Sequence, residues 1–342
     1  MFKLKYSYTA RDSALLPFFI MAVSVCYSFL FTLVVSKVAI ANGATTEAEI
    51  TAFASLPWVN VINMLSGQIF SLATYFVYSI INGKKTFVAS TVKGKIRLFP
   101  ILMTMLITAV CVFGFNYLIA IVDIGLVALT KEPIVGTAIP TSVIGYIVVV
   151  IVFAILPAIV EEFIYRGVVF NGLRKTHKPV AAILLSALIF TLMHLNIHQF
   201  VYQYIMGVIL ACLAYFTGSI LYSMVFHLVN NFLVVTLSYY APNIFTVSSM
   251  SGLNISLIII GAILAAGAIT GLFICLHRLV KKYPTHAVIP EEKSEQEQLI
   301  ENSQGLSEYE IRQLNPTKVK DKTLILILTL SLAALWLLSV LG

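Results

Sequence analysis

Three short stretches carry side chains capable of proton transfer in surroundings that are otherwise apolar: AIVEEFIYRG from Ala158, FTLMHLNIHQF from Phe190, and FHLVNNF from Phe226. They contribute Glu161, Glu162 and Arg166, then His194, then His227 and Asn231. An ionisable group in hydrocarbon costs roughly 2.5–3.5 kcal/mol at mid-helix on insertion scales, so such groups face the interior, pair up and tend to mark function. On a helix Glu162 and Arg166 are i and i+4, share a face and can form an ion pair. Glu161 points about 100° away and is left to face something else. His227 and Asn231 also share a face at i and i+4. Asn230 points elsewhere and reads as a packing or capping residue. His198, four residues after His194, would suit a two-histidine metal site, but it falls at the outer end of its segment beside Asn196 and Gln199.

The elements that must position these groups follow from composition. Of 342 residues, 59% are hydrophobic and only 11% charged, against about 25% charged in soluble domains. Apolar runs of bilayer length, roughly 20 residues, recur along the chain. They do not alternate as barrel strands would. The expected fold is therefore all-α, a polytopic helical membrane protein with about nine transmembrane helices, at 16–41, 58–82, 98–122, 144–164, 180–196, 199–216, 219–240, 253–277 and 323–341. Ala39 and Ala41 resemble a signal-peptide cleavage site. The first run, however, is longer than the roughly 7–15 residues of a signal core and reads as an uncleaved anchor.

Lys and Arg cluster before the first run, at Lys84 to Arg97, at Arg174 to Lys178 and at Arg278 to Lys282. The alternate loops are nearly free of them, which places the N-terminus in the cytoplasm. The net charge of +7 is thus membrane topology, and no nucleic-acid partner is expected. Cys26, Cys111, Cys212 and Cys275 all fall inside predicted spans without a C-x-x-C pair, so neither a disulfide framework nor a thiolate metal site is indicated. The organisation reads as 1–142, N-terminal helices, about three; 143–240, the polar core; 241–282, a further helix; 283–322, an acidic cytoplasmic linker; and 323–342, a last helix. Small residues in GAILAAGAITG from Gly261 suggest close helix packing.

At about 1.5 Å per helical residue, Glu161, His194, His227 and Asn231 come to roughly one depth. EEFIYRG, FTLMH and HLVNN then resemble the three motifs of the CPBP family, the CAAX-protease and bacteriocin-processing intramembrane proteases formerly called Abi: E-E-x-x-x-R, F-x-x-x-H and H-x-x-x-N/B. The resemblance rests on Glu161, Glu162, Arg166, Phe190, His194, His227 and Asn231 and covers about Val143 to Tyr239. It implies a CAAX-protease-like helical core with a cavity, endopeptidase activity on a membrane-associated peptide or protein, and roles that include bacteriocin or signal-peptide maturation and self-immunity.

Two mechanisms suit the set. In the favoured one, Glu161 with His194 activates water, and His227 with Asn231 stabilises the oxyanion, with Glu162 and Arg166 in support and no metal or other cofactor. In the other, Glu161, His194 and His227 ligate zinc. A non-catalytic immunity or regulatory protein that binds a peptide or a partner is the alternative from another class. A transporter could also use buried Glu and His, but inverted halves and paired broken spans are not detectable.

Overall fold

The computed structural model describes residues 8–82, 98–130, 140–241, 252–282 and 316–341. Lys84 to Arg97, Lys131 and nearly all of the acidic linker lie outside the described residues. Among the described residues every regular element is helical. The helices are α1 (Asp12–Ala41), α2 (Glu47–Ala54), α3 (Pro57–Ile81), α4 (Leu98–Thr130), α5 (Val143–Leu173), α6 (Pro179–Leu192), α7 (Ile197–Thr217), α8 (Ile220–Tyr240), α9 (Gly252–Lys282) and α10 (Pro316–Leu341). Each expected span falls on one of them. α2 is a short additional helix, started by a capping box in which Thr46 and Glu49 satisfy each other's backbone N–H.

Among the described residues five helices, α1, α3, α5, α7 and α8, are long and apolar enough to cross a membrane by length and composition. The chain is a multi-pass helical membrane protein. α6 departs from expectation. It has 14 residues, a rise of about 21 Å, where the sequence suggests a span over 180–196. It stops at Leu192, and Met193 to Asn196 turn the chain back into α7. Leu195 takes a positive φ of 49° in this turn, and the Asn196 side chain accepts from the His198 N–H to cap α7. The Asn196 cap starts a new helix here, and α6 ends after 14 residues.

One face of the bundle gathers several helix ends. Arg11, just before α1, pairs with Asp321 in the first turns of α10 at 2.8 Å. Tyr78, near the end of α3, donates to Asp12 at 2.7 Å. Gly172, near the end of α5, abuts Thr9 and Ser13. The starts of α1 and α10 and the ends of α3 and α5 therefore lie together, as the expected up-down order of the spans requires. The main core is built by α1, α3, α5, α6, α7 and α10, with Leu16, Ile164, Phe170, Phe190, Ala211 and Leu332 buried in it.

α6 and α7 form a tight antiparallel hairpin. A Cβ on Gly207 would lie 2.9 Å from the Ala187 Cα, so glycine is what lets the two backbones approach this closely. α7 ends on Gly218 in the left-handed region, φ 64°, and Ser219 then caps α8 through the Leu221 N–H. α9 packs on α4, but a Cβ at Gly267 or Gly271 would meet nothing within 4 Å. The close-packing reading of those two small residues does not hold.

α5 is one continuous helix with two wider, π-type stretches at Val150–Ile155 and Phe163–Phe170. The first has a sequence cause. Pro157 has no N–H, so the carbonyl four residues back, that of Phe153, loses its α-helical donor. The second holds Arg166 and follows directly on the two glutamates. Insertions of this kind are frequent at functional sites.

Candidate active site

α5 supplies Glu161, Glu162 and Arg166. Their neighbours come from α3, the α6–α7 turn and α8. The two glutamates diverge as helical spacing demands. Glu162 is fully buried and accepts from Arg166 Nη1 at 2.9 Å, with Arg166 equally inaccessible. Arg166 Nη2 donates to the Gly207 carbonyl at 3.1 Å, so the same glycine that brings α7 close also offers its carbonyl. The Arg166 guanidinium carbon stands 4.6 Å from the centre of the Phe190 ring, a cation–π contact. Glu161 is 15% exposed and faces a different set of groups.

His227 joins the two acids. Its Nδ1 lies 3.0 Å from Glu162 Oε1 and its Nε2 lies 3.9 Å from Glu161 Oε2. Because an ionised carboxylate only accepts, Nδ1 carries the proton toward Glu162. Neutral His227 then presents a bare Nε2 to Glu161, and the imidazolium presents an Nε2–H donor. This link is absent from the sequence reading, which gave Glu162 to Arg166 alone.

His194 is not inside a span. It occupies the turn after α6, and this corrects the expectation that it sits within a helix over 180–196. Its Nδ1 lies 2.9 Å from the Phe190 carbonyl, which can only accept, so Nδ1 is the donor and Nε2 is left as the acceptor. Glu161, Arg166 and His227 are close enough to act on it electrostatically. Phe190 is the hub: its ring meets His194 edge-on at 4.8 Å and His227 at 6.1 Å, with Arg166 against it. The phenylalanine of the second motif thus fixes members of all three motifs.

Asn231 donates through Nδ2 to the Phe153 carbonyl at 3.2 Å, the carbonyl that Pro157 leaves without its α-helical donor. Its Oδ1 accepts from Asn230 Nδ2 at 3.1 Å, and Asn230 Oδ1 accepts from Tyr202 at 2.7 Å. Asn230 is therefore more than the packing residue that its helical position suggests. Together with Tyr202 it sets the orientation of the Asn231 amide, which keeps one N–H available. Pro157, four residues after Phe153, was the sequence signal for this anchor.

Gln68 of α3 completes the immediate surroundings, donating to Glu161 Oε1 at 3.0 Å. Nothing in the three motifs points to it. Glu161 Oε2, Gln68 Oε1 and Arg166 Nε are buried and lack a hydrogen-bond partner, whereas buried polar atoms are satisfied in the great majority of cases. Zinc was the alternative reading of this set. Among the described residues no three His, Cys, Asp or Glu side chains are grouped to hold a metal ion. As placed, Glu161, His194 and His227 do not make such a group.

No curated protein and no solved structure matches the chain. Residues 143–233 match the family model described as type II CAAX prenyl endopeptidase Rce1-like. The match takes in α5, α6, α7 and most of α8, with Glu161, Glu162, Arg166, Phe190, His194, His227 and Asn231, and leaves α3 with Gln68 outside. The stretch from 143 to 233 is thus similar to the Rce1-like domain, which is consistent with the CPBP intramembrane proteases.

Proposed function

We propose that this chain is an intramembrane endopeptidase that hydrolyses a peptide bond in a membrane-associated peptide or protein, with Glu161 as general base. The observation that carries the reading is the pairing of Glu161 Oε2, buried and without a hydrogen-bond donor, with His227 Nε2 at 3.9 Å. A water about 2.8 Å from each atom bridges such a separation. Glu161 takes a proton from that water, with His194 Nε2 as a second acceptor that orients it. The hydroxide attacks the scissile carbonyl. The imidazolium form of His227 and the spare N–H of Asn231 then donate to the oxyanion, a contribution of about 2.7–4 kcal/mol per donor in a well-studied protease. The proton held by Glu161 passes to the leaving amine as the C–N bond breaks.

Glu162 and Arg166 hold His227 and the helix in place. No cofactor is required in this scheme. The Lys and Arg distribution assigns the face where α1 and α10 begin to the cytoplasm, in the cell membrane.

The test is cleavage of a peptide panel by protein reconstituted in liposomes, read by mass spectrometry. The panel includes lipidated C-terminal tails, leader peptides and membrane helices. Glu161→Ala and His227→Ala are expected to abolish cleavage. Wild-type turnover by either variant sinks the site assignment. Loss of activity on chelation, restored by zinc, would overturn the metal-free mechanism. Should a cellular phenotype survive Glu161→Gln with His194→Ala, the function is binding rather than hydrolysis.

A further inference from the structure

We infer that Gln68 is a positioning residue for Glu161, which makes α3 part of the working site although it lies outside the matched domain; this rests on the peptidase reading above. On α3 the residues that face the bundle recur at helical spacing: Val61, Leu65, Gln68 and Tyr75, with Val61 and Tyr75 buried and Leu65 packed against the Val149 and Val152 cluster of α5. Gln68 thus stands where the pattern calls for an apolar residue. It is only 9% exposed. A polar residue at a core position weakens packing unless it is satisfied, and natural sequences break the pattern mainly where function requires it.

The chemistry accounts for the choice of side chain. The carboxylate can only accept, so the amide nitrogen faces Glu161 Oε1, at 3.0 Å. Holding Oε1 fixes the carboxylate plane and leaves Oε2 as the oxygen presented to His227 Nε2. A glutamate side chain has three rotatable bonds, and among the described residues no α5 side chain hydrogen-bonds to Glu161 to hold it. Gln68 Oε1 is buried without a partner, so half of its hydrogen-bonding capacity is left unused, which a purely structural glutamine does not explain. Helix packing alone would be served as well by methionine or leucine.

Gln68→Met keeps the volume and removes the donor. Gln68→Asn keeps the amide but falls one methylene short. A hydrogen bond to a charged group is worth about 1.5–3 kcal/mol, so both variants are expected to lose roughly 10- to 100-fold in kcat. KM and the thermal midpoint in detergent should be unchanged. Infrared difference spectra supply a readout independent of turnover: the carboxylate band of Glu161, identified as the band lost in Glu161→Gln, should shift in both variants. Wild-type kcat, or an unshifted Glu161 band, overturns the proposal. A fall in thermal midpoint with kcat unchanged would make Gln68 a packing residue only. If the wild-type protein cleaves nothing, the peptidase reading fails, and the infrared band alone then decides whether Gln68 holds Glu161.

Discussion

Asp12 and Glu161 are two acids buried in the same bundle, and they are treated differently. Asp12, 4% exposed at the start of α1, has both oxygens occupied: Tyr78 donates to Oδ1 at 2.7 Å, and the Thr9 hydroxyl at 2.8 Å and the Thr9 backbone N–H donate to Oδ2. Glu161 has one oxygen held by Gln68 and the other facing a histidine across 3.9 Å. A fully satisfied buried acid ties elements together. An acid with an unsatisfied oxygen aimed at an imidazole keeps its lone pair for a reacting partner. The Tyr8, Tyr75 and Ser79 hydroxyls around the first cluster are likewise bonded to one another, so no reactive group is left over there.

The sharpest test of this contrast is at Glu161. A general base contributes about 10²- to 10⁴-fold, so Glu161→Gln should lose that much kcat while its thermal midpoint holds or rises, since a partly unsatisfied charge has been removed. Asp12→Asn should do the reverse. It presents an N–H to groups that already donate, and is expected to lose about 1.5–3 kcal/mol of stability with kcat intact per folded molecule. If Asp12→Asn lowers kcat at constant stability, the contrast is wrong.

Next in size comes the pair behind the site. Arg166→Met strands Glu162 in a fully buried position with only His227 and the Ser223 hydroxyl beside it. Breaking a buried pair from one side costs about 3–5 kcal/mol, to be read as a loss of midpoint and of folded yield in detergent. The replacement Glu162→Gln with Arg166→Met should recover part of that loss, because no charge is then left unpaired.

Much of this was legible in the sequence, for physical reasons that vary from residue to residue. The i, i+4 relation of Glu162 to Arg166 is local geometry, and the ion pair appears at 2.9 Å. The divergence of Glu161 from Glu162 follows from the same helical angle. The placement of His194 in a turn was not legible, because an apolar helix and an apolar half-helix share one hydropathy. The signal lay in the polar LNIHQ after His194, where Asn196 stops one element and caps the next. Gln68 was missed because its partner is far away in sequence, and only a polar residue in an apolar stripe announces it. The anchor of Asn231 depends on Pro157, whose effect is felt four residues earlier and on another helix.

The smallest effect is expected at Arg11, beside Asp12 but outside its network. Arg11 is 53% exposed and its partner Asp321 14%, and exposed pairs are worth about 0.2–1 kcal/mol. The attachment of α10 rests instead on Ile325 and Leu332, both buried, and on Trp336, which meets Phe200 at 5.1 Å between ring centres. Arg11→Ala should therefore lower the thermal midpoint slightly at low salt. The difference from wild type should vanish near 1 M salt, where the screening length falls to about 3 Å. A larger loss, or one that persists in salt, would mean that Arg11 supports the Asp12 cluster. The satisfied acid would then depend on a charge at the surface, and the line between a structural cluster and a working one would have to be redrawn at the start of α1.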